Sequence, residues 1–151
     1  MSNLIKKEEP ALPALPSTIL PAITELTASL GIPREVLASA EEIEYAWRDL
    51  PRELREIPPE LRGELVARMC VAVSTGLFDG AMNYAWNAAI LQLRQKIRNF
   101  GLPVVAQIQQ RDFEEKHLQE LQDSQLCELC LKLKIVNEDG YFFWDQCRDV
   151  R

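Results

Sequence analysis

Residues 79–101 read DGAMNYAWNAAILQLRQKIRNFG, and this stretch decides the fold of the 151-residue chain. Met82, Trp86, Ala89, Ile90, Leu93, Ile97 and Phe100 recur every three or four positions, which places them on one face of a helix. Asp79 is suited to cap the start, because its carboxylate can accept from the first unpaired backbone N–H groups. Gly101 is suited to close the end, and Pro103 follows as a stop. At about 1.5 Å per residue such a helix spans roughly 30 Å, the width of a small domain. Phe78, Ala81, Ala85 and Ala88 add a second apolar set, so the first half is expected to be buried nearly all round. The second half narrows and turns basic outside at Arg94, Lys96 and Arg98. The stretch is expected to be the central helix of an all-α, up-and-down bundle.

On its N-terminal side, Pro58-Pro59 opens a helix that ends near Gly76, with Leu61, Leu65, Met69, Cys70 and Val73 as its stripe. The short link to Asp79 favours antiparallel neighbours. Further back, Pro33 opens a helix lined by Val36, Leu37, Ala40, Ile43, Ala46 and Trp47, and Pro51 stops it. Arg52 to Glu56 is read as one further turn. Ser17 or Thr18 caps a first helix to about Leu30, closed by Gly31. Before it, Pro10, Pro13 and Pro16 favour an extended arm, mobile or draped over the surface. The expected organisation is an arm (1–16), an N-terminal helical segment (17–57) and a bundle (58–151).

On the C-terminal side, 102–110 shows no strong period. Asp112 with Glu115 resembles a capping box for a helix to about Leu121. Asp123 or Ser124 caps QLCELCLKL, Asn137 to Gly140 is a turn, and YFFWDQCRDVR is a last helix. On that helix Phe143, Cys147 and Val150 share one face, and Tyr141, Trp144 and Arg148 share another. No stop signal follows Arg151, so the chain is expected to be the front part of a longer protein.

Composition bounds the function. Apolar residues make up 47% of the chain, enough for a core. There are 17 basic against 23 acidic residues, net −6. Residues 1–60 hold 6 basic and 11 acidic residues and so carry −5; residues 61–151, with 11 and 12, carry −1. An acidic chain disfavours non-specific nucleic-acid binding, which needs a basic footprint. No apolar run is long enough to span a bilayer. The N-terminus is not built like a signal peptide, so a cytoplasmic location with four reduced thiols is expected.

Few residues suggest chemistry. Cys127-x-x-Cys130 lacks the second ligand pair of a zinc site and falls inside a Leu-rich helix, so core thiols are expected, with no metal and no cofactor. The only histidine, His117, lies on a charged helix without a nucleophile partner. Asn83, Asn87, Arg94 and Arg98 fall within about 60° of one another around the central helix. They form a candidate RNA-binding strip, or simply its solvent face. Tyr45-Ala46-Trp47 recurs as Tyr84-Ala85-Trp86, but the flanks differ and no repeat architecture is inferred.

Taken in order, GAMNYAWNAAILQLRQKIRNFG, then LCELCLKLKIVNEDG, then YFFWDQCRDVR resemble a HEPN domain (higher-eukaryote and prokaryote nucleotide-binding) over residues 58–151. The resemblance rests on helix pattern and order. It implies an α-helical bundle and, in many members, metal-independent RNA cleavage by a homodimer. The motif is an Arg, a polar residue and then a His four to six positions on. Arg148 followed by Asp149 fits its first step, and Arg151 is the other candidate. In that chemistry the Arg steadies the phosphate while the His moves a proton. The chain ends before any such His, so the given sequence is catalytically incomplete and a toxin- or phage-defence-type ribonuclease is expected only of a longer form. Two other readings stand beside it. One is a non-catalytic helical dimerisation or adaptor module. The other is a winged-helix-like DNA binder, in which LKLKIV-NEDG-YFFW forms a β-hairpin.

Overall fold

Helix follows helix along the whole described chain. The computed structural model describes residues 8–150, and side chains through Asp149; within this range there are eight α-helices and no strand. They are α1 (Leu15–Ser29), α2 (Ala40–Arg55), α3 (Glu64–Thr75), α4 (Phe78–Phe100), α5 (Leu102–Gln109), α6 (Glu115–Glu120), α7 (Asp123–Lys132) and α8 (Glu138–Val150). Short 3-10 turns at Arg34–Val36 and Pro59–Leu61 precede α2 and α3. The expected all-α bundle is therefore present. The β-hairpin of the winged-helix reading is not: Ile135 and Val136 both donate to the carbonyl of Cys130, at 2.9 and 3.3 Å, and so close α7. The Asn137 side chain accepts from the Gly140 N–H at 2.7 Å, which makes 137–140 a helix start instead of a free turn.

The described residues group into two compact units, one up to Ala85 and one from Trp86. In the first, α3 packs on both α1 and α2. Leu50, Leu54 and Val66 form its buried centre, with Leu12, Trp47, Ile57, Met69, Cys70 and Val73 against them. The proline-rich segment is draped here and not loose from Glu9 onward. The Trp47 indole donates to the carbonyl of Pro13 at 3.1 Å, and Arg55 pairs with Glu9 at 3.1 Å.

Three expected boundaries in this unit move for identifiable reasons. Helix α2 starts at Ala40, not at Pro33, because Ser39 and Glu42 form a reciprocal capping box with bonds of 2.9 and 3.2 Å. It also runs through Pro51 instead of stopping there. Burying Ile43, Leu50 and Leu54 contributes about 1.5–3 kcal/mol each. That outweighs the roughly 3 kcal/mol an interior proline costs. Helix α1 likewise starts at Leu15, with Pro16 in its first turn; Ser17 and Thr18 do not cap it but donate back to the carbonyl of Ala14.

Gly76 ends α3 at φ 81°, and a Cβ there would lie 2.9 Å from Ile43 Cδ1 and 3.2 Å from the Ala38 nitrogen. Only glycine fits both the left-handed backbone and the contact. Asp79 then lies inside the first turn of α4, which begins at Phe78, so it favours the positive helix end without being the cap.

The second unit has the larger core. Trp86, Ile90, Leu93 and Ile97 of α4 meet Val105, Phe113, Leu118 and the α7 residues Leu126, Cys127, Leu129 and Cys130. Helix α4 ends at Phe100 with Gly101 closing it, as expected, and Pro103 sits in the first turn of the next helix, α5, where its missing N–H costs nothing. Helix α5 escaped the sequence reading because it is eight residues long and fully buries one of them, Val105. The expected all-round burial of early α4 is also absent: Met82, Asn83 and Ala85 are exposed. Phe100 is exposed too, at its end. No helix among the described residues is long and apolar enough to cross a membrane.

Candidate functional site

The proposed RNA strip divides into two exposed and two committed residues. Asn83 and Asn87 of α4 are exposed, whereas Arg94 and Arg98 are half-buried. Arg94 Nη2 donates to the carbonyl of Leu121 at 3.2 Å, at the junction of α6 and α7. Its Nε is buried without a hydrogen-bond partner among the described residues. Arg98 grips Glu115 through Nε (2.9 and 3.0 Å) and Nη2 (2.6 Å). This fork-to-carboxylate geometry is the strong form of an ion pair. The Arg98 bond holds the Glu115 carboxyl below its usual range, and Glu115 in turn raises the Arg98 guanidinium. Both cations of the strip thus hold the bundle's own elements together.

Arg148 lies on α8 with about a third of its side chain exposed; Nη2 pairs with Asp145 at 2.7 Å and Nε approaches Asp149 at 3.7 Å. Arg151, the other expected catalytic residue, lies outside the described residues. The inner face of α8 is Tyr141, Trp144 and Cys147, while Phe142 and Phe143 are exposed. Phe143 therefore does not share a buried face with Cys147.

Cys127 and Cys130 are buried in the second core. Burial first, then the neighbouring Asp123, pushes the Cys127 thiol up. Burial and then the proximity of Cys127 push Cys130 to about 12. A thiol held as far from ionisation as that of Cys130 is a poor nucleophile at neutral pH. No group of three or more His, Cys, Asp and Glu among the described residues is arranged to hold a metal ion.

His117 caps α6: the Glu114 N–H donates to its Nδ1 at 2.9 Å, so the neutral ring carries its proton on Nε2. The cap is therefore at Glu114, two residues after the expected Asp112. A hollow of about 370 Å³ adjoins it, lined by Arg111, Asp112, Phe113, Glu120 and Gln125.

A larger groove, about 470 Å³, lies in the first unit. Leu20 and Thr24 of α1, Glu35 and Leu37 of the intervening turn, and Glu42 of α2 line it, with Arg34. Arg34 is tied to the carbonyl of Ala38 at 2.9 Å, and Glu42 Oε2 accepts from the Ser39 N–H. Sequence reasoning missed this groove, since it is formed by the α1–turn–α2 arrangement and no motif spans it. It also missed the role of Asp123. Read as a cap, Asp123 accepts instead from the Trp86 indole at 2.6 Å, while Gln122 and Gln125 begin α7. Comparison of the chain with protein-family models, with curated proteins and with solved structures finds no match.

Proposed function

We propose that this chain is a helical module that binds another polypeptide. The observation that carries the reading is apolar surface in the first unit. Leu26, Leu30, Ile32 and Val36 are 56, 61, 42 and 62% exposed within one short stretch of sequence, the same stretch that supplies the groove residues Arg34, Glu35 and Leu37. Exposed apolar side chains gathered in this way mark interaction surfaces. Support also comes from the second unit, where Arg94 and Arg98 are engaged by Leu121 and Glu115 and are not presented to a phosphate backbone. The reading places the protein in the cytoplasm, where its four thiols stay reduced.

Selection from a random-peptide display library tests it. Enrichment of one peptide class, with affinity lost on Leu30→Asp or Val36→Asp, is the expected result. Tight RNA binding with no peptide enriched would overturn it.

One observation favours a second reading, the HEPN-like homodimeric ribonuclease. Arg148 is held by Asp145 on the terminal helix and remains partly accessible, as a phosphate-steadying group requires. RNA cleavage in chelator by a longer form that carries the motif His, absent from residues 1–151 alone and abolished by Arg148→Ala, is its expected signature. Cleavage unchanged in that variant would remove Arg148 from the chemistry.

A further inference from the structure

The charge of the first unit specifies the partner. Residues 1–85 hold 8 basic and 13 acidic residues, net −5, while residues 86–151 hold 9 and 10, net −1. The groove of about 470 Å³ lies in the acidic unit. Leu20 and Leu37 give its lining aliphatic surface, and Glu35 and Glu42 bring carboxylates to the same lining. Arg34, the one lining cation among the described residues, already donates to the Ala38 carbonyl. Glu41 follows in the first turn of α2 and adds to the negative field at that end. Aliphatic and carboxylate side chains in one lining together match a side chain that has a long alkyl stem and a cationic head.

We propose that this groove docks a basic, leucine-rich segment of a partner protein, with Lys or Arg stems over Leu20 and Leu37 and their charged heads at Glu35 and Glu42. The proposal rests on the polypeptide-binding reading and names its partner. A neutral apolar segment would cover the Glu35 carboxylate with no cation to offset the lost water, and the Glu42 carboxylate with only the Ser39 N–H. An acidic segment would meet like charge. Because attraction between exposed charges is screened by salt, docking weakens as ionic strength rises.

The test titrates the whole chain with a capped amphipathic peptide of leucine and lysine, and with its leucine–glutamate counterpart, by calorimetry and amide chemical-shift mapping. The expected result is binding of the lysine peptide only, with shifts centred on residues 20–42. Two variants separate a seated peptide from loose attraction. E35Q/E42Q removes both charges yet keeps the capping box, since glutamine can accept from the Ser39 N–H, and should weaken binding about tenfold. Thr24→Trp fills the groove without changing charge and should abolish binding. Retained binding in Thr24→Trp would overturn the proposal. So would stronger binding in Lys6→Glu/Lys7→Glu, which would make the chain's own basic segment the occupant. Binding of the glutamate peptide at the same residues would overturn the partner chemistry and leave the polypeptide-binding reading standing. No peptide binding at all would overturn both.

Discussion

Tyr-Ala-Trp occurs twice, at 45–47 and at 84–86, and the two copies have opposite fates. Trp47 is half-buried, and its indole donates to a neutral backbone carbonyl, that of Pro13, at 3.1 Å. Trp86 is 6% exposed, and its indole donates to a carboxylate, that of Asp123, at 2.6 Å. The Trp144 ring meets its edge with centroids 4.9 Å apart. The first indole pins a proline-rich strap; the second joins α4, α7 and α8 around one ring. A tripeptide thus fixes helix formation but not its energetic weight, which comes from what the rest of the chain brings to it.

The comparison can be broken by mutation, beginning with the largest effect. Trp86→Ala is expected to lower the unfolding free energy by about 3–5 kcal/mol, the range for emptying an aromatic core position. A loss below about 1 kcal/mol in urea unfolding would mean that Trp86 does not organise the second core. Asp123→Ala leaves the buried indole N–H without its charged acceptor and should lose about 1.5–3 kcal/mol.

Alkaline pH probes the same core through its thiols. Cys127 and Cys130 ionise above the usual 9.0 when folded. Their stabilisation is therefore complete below about pH 9 and is lost as the unfolded thiols ionise above it. By pH 10 each thiol that stays protonated in the fold accounts for about 1.4 kcal/mol of lost stability. Urea midpoints at pH 7 and pH 10 should differ, and Cys127→Ala/Cys130→Ala should narrow the gap.

Trp47→Phe keeps the ring but removes the bond to Pro13, so about 1 kcal/mol is expected, with amide exchange quickened in residues 9–14. The smallest effect is Glu115→Gln. The folded Glu115 carboxyl titrates below its usual 4.5, so its contribution is present above that value and is lost as pH falls through the lowered one. The variant should show a shallower acid decline in melting temperature than the wild type between pH 5 and pH 3.

How much was legible depends on how many signals agree at a position. The α4 stripe was readable because Trp86, Ile90, Leu93 and Ile97 keep helical spacing from residue 86 to residue 97 and all four are buried. Prolines misled where one signal was allowed to decide. Pro33 and Pro51 were read as opening and stopping a helix, yet the Ser39–Glu42 box and the burial of Leu50 and Leu54 overrode them. LKLKIV has strand propensity, but the N–H groups of Ile135 and Val136 turn back onto Cys130 and Asn137 starts a helix. Of the candidate site, Arg94 and Arg98 were legible as cations on α4. Their partners Leu121 and Glu115 lie 27 and 17 residues away, beyond the reach of any local pattern.

The most direct test of the contrast is hydrogen exchange at the indole N–H groups, with each resonance assigned by a Trp→Phe variant. The Trp86 indole proton should exchange far more slowly than that of Trp47, approaching the rate of global unfolding. Equal rates, or a slower Trp47, would contradict a second unit built around Trp86.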